Sequence, residues 1–582
     1  MEPIDLQPAV AISQPSDEGH KVLAVLLHGY THTPAHMSFV AQVTKETVPN
    51  AHIFMPRLPL GRFSTVDPVQ IARDVIVQID RQISFRETQG WEPFKEILLV
   101  GHSCGALLAR KIYVLAGPES WEARFEDSRD DHLSEEKAWF PLIKRIVLLA
   151  GMNRGWSLTH HLSIPRMFVL KAGTIFADLL ALTGTQFMIS RIRRGAPFII
   201  ELRLQWLALR KTKTLKSQNL ALTIQLLGTI DDLVAPSDNI DLSTGRDFLY
   251  LDVPLSGHAN VVEMDGSEAG KARRKAFQEA LSEAPEALAP KNIVPEDIGL
   301  YERRHDDVRN VIFVLHGIRD FGYWTQKIAR KVQALALDNA PPKIYATETS
   351  SYGYFAMFPF LLPPRRREKV EWLMDKYVEA KSLYPEARFS FVGHSNGTYL
   401  LANALKGYRA CRFQRIVFAG SVVRTDYDWT TLIERGQVEA VLNYVATRDI
   451  IVACFPGALE ILNLQDLGSA GHNGFNDSSP RVYQFKYIYG GHGAALTETN
   501  WNDIAGFITS DTPLASTVSG RAERQSRWVV FMGRVAPLVW CVIGALLAVP
   551  ALALWLLNHH EPFRTLIVLA YLWIIWKILT RV

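Results

Sequence analysis

The sequence predicts two tandem α/β domains, each a mostly parallel sheet flanked by helices, followed by a C-terminal transmembrane helical hairpin. Three observations predict this fold class. An apolar strand, a G-x-S-x-G turn and an Ala/Leu-rich helix follow one another over 96–110, and the same succession returns over 388–402. The segments that flank the two stretches also repeat in the same order. Near the end of the chain, Val535–Leu557 carries no charged residue and is long enough to cross a bilayer.

The composition excludes several classes of protein. A net charge of +4 over 582 residues argues against a dedicated nucleic-acid binder. The four cysteines show no paired spacing, so we expect neither a disulfide framework nor a metal site, and no cofactor. The N-terminus is acidic and lacks a basic flank before an apolar core, so no secretory signal peptide is expected.

The repeats and the Pro-rich or polar stretches between them predict the domain boundaries. We expect a first domain at 1–285, a linker at 286–300, a second domain at 301–510, a linker at 511–527 and a membrane anchor of two apolar helices at 528–582. The first copy has a long insertion at about 152–217 that the second copy lacks. We interpret it as a helical cap that excludes water from an apolar site. A helical hairpin without a role at the site is the alternative.

The first repeat carries a candidate nucleophile, base and acid, each just after a strand. Ser103 lies in the turn between the strand and the helix, where a nucleophile elbow exposes a serine hydroxyl. Asp231 follows a late strand, and His258 follows the last one. This order of Ser, Asp and His lets the histidine move the proton while the acid orients the imidazole.

The same domain needs two N–H donors for the oxyanion of a tetrahedral intermediate. Tyr30, after the first strand and the pair His28-Gly29, and Cys104, directly after the nucleophile, are the candidates. The Cys104 side chain is interpreted as a small space-filling group rather than as a nucleophile.

The second repeat carries the corresponding set. Ser395, Asp449 and His492 are its candidate triad, and the N–H groups of Ile318 and Asn396 are its candidate oxyanion donors. His472 is a rival base. We rank it second because His492 directly follows the last strand.

Two further segments favour a membrane. The aromatic stretch Tyr352–Leu362, followed by Arg365–Arg367, either touches a membrane surface at the mouth of the second site or forms core packing with a solvated charge cluster. In the C-terminal hairpin, Val535–Leu557 is followed by a shorter apolar stretch, Thr565–Thr580, which spans the bilayer or lies in its interface. Arginines precede the hairpin and basic residues close it, so both ends, and with them the two α/β domains, are expected on the cytoplasmic side.

These residues resemble the α/β-hydrolase superfamily twice, in the lipase and esterase arrangement. The resemblance covers most of 20–280 and 305–510, but not the C-terminal hairpin. It implies acyl-enzyme chemistry without a metal or cofactor, and it names no substrate, because this fold hosts several activities.

The resulting expectation is a membrane-anchored serine hydrolase that acts on acyl esters, with a lipid-like substrate. Two alternatives stay open at this point. In one alternative, one of the two copies is a non-catalytic binding or regulatory domain, and domain 2 is the stronger candidate. In the other, the chemistry is amide or thioester hydrolysis.

Overall fold

The protein is described by a computed structural model. It describes 19–126, 132–157, 184–215, 220–230, 241, 248–293, 305–318, 320, 322–339, 341–349, 351–353, 355, 357–510, 522, 524–557 and 561–581. The chain divides into two compact units. Unit 1 comprises Met1–Arg303, Asp375–Leu383 and Tyr408–Ala410, and unit 2 comprises Arg304–Met374, Tyr384–Gly407 and Cys411–Val582.

Unit 1 contains a six-stranded sheet in which every neighbouring pair of strands is parallel. Its order is β2-β1-β3-β4-β5-β6. The strands are β1 (Val22–Leu27), β2 (Ala51–Phe54), β3 (Glu96–His102), β4 (Ile143–Leu149), β5 (Leu222–Gly228) and β6 (Phe248–Val253). The strands read as apolar runs because helices cover both faces of the sheet.

The helices of unit 1 follow the strands. They are α1 (Ser38–Thr47), α2 (Pro68–Thr88), α3 (Cys104–Ala116), α4 (Met188–Arg191), α5 (Pro197–Leu215), α6 (Glu268–Ser282) and α7 (Pro285–Leu288). Alternate residues of β1 enter two separate cores. Val25 packs with residues of α2, α3 and α5, whereas Leu26 packs with residues of α1 and α6.

Part of the predicted cap belongs to the core instead. Helix α5 lies within 152–217, but it packs against α3. Its Trp206 is buried, with its ring centroid 5.5 Å from that of Tyr113. This helix is therefore part of the core rather than a lid, because its apolar face is buried in the layer beside α3. The remaining segment of the predicted cap, 158–183, lies outside the described residues.

Unit 2 contains a second six-stranded, all-parallel sheet. Its order, β8-β7-β9-β10-β11-β12, is that of unit 1 when each unit is numbered from its first strand. The strands are β7 (Asn310–Leu315), β8 (Tyr345–Glu348), β9 (Arg388–His394), β10 (Phe413–Ala419), β11 (Val438–Ala446) and β12 (Val482–Ile488). The two sheets confirm the prediction of two α/β domains.

The helices from this sheet to the C-terminus begin with α8 (Thr325–Leu337). They continue with α9 (Met357–Leu361), α10 (Pro363–Leu383), α11 (Asn396–Gly407), α12 (Trp429–Glu434), α13 (Ile450–Cys454), α14 (Pro456–Ile461), α15 (Ala470–Asn473), α16 (Trp501–Thr509), α17 (Arg527–Leu557) and α18 (Glu561–Arg581).

Three described aromatic residues of the stretch Tyr352–Leu362 pack in the core. Tyr352, Phe355 and Phe360 are buried. Arg366, in the arginine run that follows, is also buried, and its guanidinium pairs with Asp466 at 2.7 Å. Helix α9 of this stretch also contacts the C-terminal helix α18, so contact with a membrane surface stays a prediction.

The C-terminal region contains two helices that contact each other. The Tyr571 hydroxyl of α18 donates to the Leu547 carbonyl of α17 at 3.1 Å. Within the described part of the chain, one helical segment, Arg527–Pro550, is long and apolar enough to cross a membrane. The apolar segment of α18, Thr565–Ile575, is shorter. A membrane span therefore rests on α17, and a fully spanning hairpin stays a prediction.

Candidate active sites

The two candidate nucleophiles lie in the same strained turn. Ser103 follows β3 with φ 53° and ψ −117°, and Ser395 follows β9 with φ 50°. A positive φ is unfavourable for a residue with a Cβ, so the surrounding structure must hold each serine there. In both units the serine N–H donates to the last carbonyl of the next strand, at 2.9 Å to Leu149 and 3.0 Å to Ala419.

The small residues of the G-x-S-x-G motif are required by close backbone approach. A Cβ on Gly101 would lie 2.3 Å from the Gly105 carbonyl oxygen. A Cβ on Gly105 would lie 2.3 Å from the Leu27 carbonyl oxygen, at the end of β1. The first turn of α3 therefore lies in close backbone contact with the ends of β3 and β1. Both glycines are therefore part of the fold that exposes the serine hydroxyl.

In unit 1 the candidate base contacts the candidate nucleophile directly. His258 Nε2 lies 2.8 Å from Ser103 Oγ, which is the hydrogen bond that a general base makes before it takes the hydroxyl proton. Both side chains are buried. The proposed acid Asp231 lies outside the described residues.

In unit 2 the candidate base contacts the candidate acid. Asp449 Oδ2 lies 2.9 Å from His492 Nδ1, while its Oδ1 accepts the Val452 N–H at 3.0 Å. The carboxylate is fully buried, so this second hydrogen bond holds it in one orientation. Among the described residues, Ser395 Oγ makes no hydrogen bond to the His492 ring. The two units thus present complementary halves of one arrangement, Ser–His in the first and His–Asp in the second.

The rival base His472 has different neighbours. Its Nδ1 lies 3.3 Å from the Gln525 side-chain amide, which also donates to the His472 carbonyl. Burial lowers the pKa of His472. Of the two histidines, His492 is the one that the structure brings within hydrogen-bond distance of Asp449.

The candidate oxyanion donors lie beside the two serines. Cys104 and Asn396 begin α3 and α11, and the N–H groups of a first helical turn have no partner inside the helix. The turn after β1 comes equally close, because a Cβ on Gly29, next to Tyr30, would lie 3.2 Å from Ser103 Cβ. Burial raises the pKa of the Cys104 thiol to about 12, so this side chain stays a neutral filler.

The corresponding turn of unit 2 carries Ile318. A Cβ on its neighbour Gly317 would lie 2.7 Å from Ser395 Cβ. The Asn396 side chain donates to the Tyr352 hydroxyl at 3.2 Å, and that hydroxyl donates to the His316 carbonyl at 2.8 Å. Side-chain bonds therefore connect the two segments that carry the candidate donors of this unit.

In each unit a further histidine, which was not among the predicted site residues, bonds to the main chain of the candidate base. His102 Nε2 donates to the His258 carbonyl at 2.9 Å, and His394 Nε2 donates to the His492 carbonyl at 3.3 Å. His102 is fully buried and His394 is half-buried, and desolvation lowers the pKa of each to about 3. The neutral Nε2–H tautomer is thus set by the carbonyl that it contacts. The signal in the sequence was the histidine directly before both serines.

The buried His102 should make the stability of the protein depend on pH. Its folded-state pKa of about 3 lies below the ordinary value of 6.5, so the unfolded chain takes up a proton that the folded chain does not. Stability is then complete above about pH 6.5 and falls as the pH drops, by up to ~1.4 kcal/mol per pH unit for one histidine. We expect His102→Gln, whose amide can still donate to the His258 carbonyl, to have a flatter dependence of the unfolding temperature on pH.

The matched control for this measurement is His36→Gln, at an exposed histidine of the same unit. His28 and His52 also have pKa values lowered to about 4 by burial, so the acid sensitivity of the variant is reduced rather than abolished. Equal slopes for wild type and His102→Gln would contradict a neutral, buried His102.

The chain is similar in structure to solved lipases and esterases. A soluble variant of monoglyceride lipase from Saccharomyces cerevisiae, in complex with a substrate analogue, is 13% identical, with a TM-score of 0.28, and the match covers 48% of this chain and 90% of that one. A lipase-esterase related protein from Clostridium acetobutylicum is 12% identical, with a TM-score of 0.25, over 45% of this chain and 95% of that one.

A third solved structure is phospholipase PlaB from Legionella pneumophila in complex with thio-NAD. It is 12% identical, with a TM-score of 0.31, over 51% of this chain and 70% of that one. No family profile and no curated protein sequence matches this chain.

Proposed function

We propose that this chain is a membrane-anchored serine hydrolase of the α/β-hydrolase type that cleaves acyl esters through acyl-enzyme intermediates. The observation that carries the proposal is the 2.8 Å hydrogen bond between Ser103 Oγ and His258 Nε2 at a nucleophile elbow. The unit 2 contact between His492 and Asp449 supports a second site of the same design.

The reaction at the first site follows from these positions. Ser103 Oγ attacks the ester carbonyl while His258 Nε2 takes its proton. The N–H groups of Tyr30 and Cys104 stabilise the oxyanion, and Asp231 orients the imidazole and stabilises its charged form. His258 then returns the proton to the departing alcohol, which leaves the acyl group on the serine. Water, deprotonated by the same histidine, hydrolyses this ester and restores the enzyme.

The second site uses Ser395, His492 and Asp449 in the same roles, with the N–H groups of Ile318 and Asn396 as the oxyanion donors. The single histidine bonded to the buried carboxylate is assigned as the base. Hydrogen bonds between nucleophile and base are often long before substrate binds, so we expect the one between Ser395 and His492 to form in the substrate complex.

The surroundings of the second site support a lipid-like substrate and a membrane anchor. Directly after Asp449, helix α13 packs against α17, the helix that can span a membrane. The Trp540 indole donates to the Cys454 carbonyl at 2.8 Å, and its ring centroid lies 5.5 Å from that of Phe455. Ile451 is 52% exposed although it lies two residues from the carboxylate, as expected for a segment beside a bilayer.

The proposed substrate class is tested with a series of esters from butyrate to palmitate. We expect kcat/KM of the purified full-length protein to rise with acyl length, because each methylene that enters an apolar pocket contributes ~0.8 kcal/mol. The double variant Ser103→Ala with Ser395→Ala is the control and should be inactive at every length. A preference for butyrate would contradict the lipid-like substrate while leaving the esterase assignment intact.

A further inference from the structure

A basic cavity lies where the chain enters its candidate membrane helix. It has a volume of about 420 Å³ and is lined by Tyr487, Arg524, Gln525, Arg527, Val530, Phe531 and Arg534. We refer to it as the arginine cavity. It lies within unit 2, between strand β12, which carries Tyr487, and the first turns of α17.

One face of α17 supplies most of the lining. Arg527, Val530, Phe531 and Arg534 occupy positions i, i+3, i+4 and i+7, which lie above one another on a helix. The cavity therefore offers two guanidinium groups with apolar side chains between them. Arg524, in the turn before the helix, adds the third guanidinium.

The three arginines are not neutralised within the described part of unit 2. No acidic side chain there lies within ion-pair distance of Arg524, Arg527 or Arg534, and all three are exposed. Other arginines of this unit are paired, such as Arg366 with Asp466 at 2.7 Å. Three clustered positive charges favour an anionic ligand, and guanidinium groups suit the oxygens of a phosphate.

The place of the cavity along the helix identifies the source of that phosphate. Arg534 directly precedes the charge-free segment Val535–Leu557, and Arg527 lies two helical turns earlier, about 10 Å along the axis. Since the polar zone of a bilayer leaflet is about 5–8 Å thick, the guanidinium groups reach the level of the phospholipid headgroups. Phe531 and Val530 lie between them, where the apolar part of a lipid would pass.

We propose that the arginine cavity binds the headgroup of an anionic phospholipid. The headgroup phosphate pairs with Arg524, Arg527 and Arg534, and the glycerol and upper acyl chain contact Phe531 and Val530. Bound lipid then holds strand β12 close to the membrane surface. This inference rests on the membrane anchor of the proposed function, and it is independent of catalysis.

Native mass spectrometry of the full-length protein in a neutral detergent tests the proposal. The protein is mixed with equal amounts of phosphatidylglycerol and phosphatidylcholine that carry the same acyl chains. We expect phosphatidylglycerol to be retained preferentially. Because one arginine near an anionic lipid contributes about fivefold in affinity, replacing all three by glutamine should weaken this binding ~100-fold.

Two further variants separate the cavity from net charge. The triple variant Lys327→Gln, Arg330→Gln and Arg481→Gln removes the same charge at exposed positions of unit 2 outside the cavity, and it should retain phosphatidylglycerol. Replacing Arg524, Arg527 and Arg534 by lysine keeps the charge but loses the planar donors, so intermediate binding is expected. Equal loss in the two glutamine triples would overturn the proposal, because binding would then follow net charge alone.

The remaining outcomes are also distinguishable. Displacement of the lipid by inorganic phosphate alone would overturn the lipid assignment in favour of a free-anion site. Equal retention of the two lipids would overturn the anionic preference. Extraction of the full-length protein from membranes at alkaline pH would refute the anchor, and loss of fluorophosphonate labelling at Ser395 in the cavity variants would reveal misfolding, which the lysine triple is designed to avoid.

Discussion

Replacing Ser103 and Ser395 by alanine, singly and together, should show that the fluorophosphonate labelling of this protein is divided between two sites. Fluorophosphonate probes report a serine that an adjacent base has activated. We expect wild type to take up label at both serines, each single variant to keep the label of the other site, and the double variant to take up none. For ester hydrolysis, loss of a nucleophile should lower kcat of its own site about 10⁶-fold.

The control for this experiment is a serine in a comparable place but outside both sites. Ser390 is buried within β9 of unit 2, so Ser390→Ala should keep full labelling. If Ser103→Ala alone abolishes all labelling, unit 2 is a binding or regulatory domain on a hydrolase frame. If wild type takes up no label, neither serine is an activated nucleophile and the serine-hydrolase proposal is wrong.

Replacing Asp449 by asparagine should disable the second site while preserving its structure. An asparagine oxygen can still accept the Val452 N–H in the first turn of α13, which the aspartate accepts at 3.0 Å. It does not stabilise the imidazolium of His492, and its amide favours the wrong tautomer. In a Ser103→Ala background we expect kcat to fall about 10⁴-fold, as for triads that lose the acid in this way.

This prediction has an internal comparison. Asp426→Asn changes an exposed aspartate of the same unit, which pairs with Arg424 at 2.9 Å, and should leave the rate unchanged. His492→Gln should match the loss seen for Asp449→Asn or exceed it, whereas His472→Gln should retain most of the activity. Full activity of Asp449→Asn, or a greater loss from His472→Gln than from His492→Gln, would reverse the assignment of the base.

The acid of the first site is decided by the same approach. Asp231→Asn and Asp232→Asn, each in a Ser395→Ala background, change two carboxylates that are adjacent in the sequence. Gly228-Thr-Ile-Asp231 of the first repeat aligns with Ala446-Thr-Arg-Asp449 of the second, so the Asp231 variant should lose activity and the Asp232 variant should not.

The sequence by itself determined the features that depend on local order along the chain. Apolar runs buried on both faces predicted the strands, and the two G-x-S-x-G turns predicted where a serine is exposed. The glycine requirement at Gly101 is local, because its close neighbour is Gly105 of the same motif, whereas that at Gly105 comes from Leu27 of β1. The charge-free segment Val535–Leu557 predicted a helix that is long and apolar enough to span a membrane.

Only the tertiary structure decided which distant residues meet. The sequence offers both His472 and His492 as candidate bases. Only the packing of β11 beside β12 brings Asp449 to His492. The same holds for His102, whose partner carbonyl is 156 residues away. Contacts of this kind depend on how strands and helices assemble, and no periodicity along the chain encodes them.

Burial was the other feature that the sequence left open. A run of arginines predicts a solvated cluster, yet Arg366 is buried because Asp466, far along the chain, supplies its counter-charge. Helix α5 looked like part of a lid, but its Trp206 fills the layer beside α3. An amphipathic helix shows in its sequence that it buries one face, whereas the surface that covers this face is set by the fold as a whole.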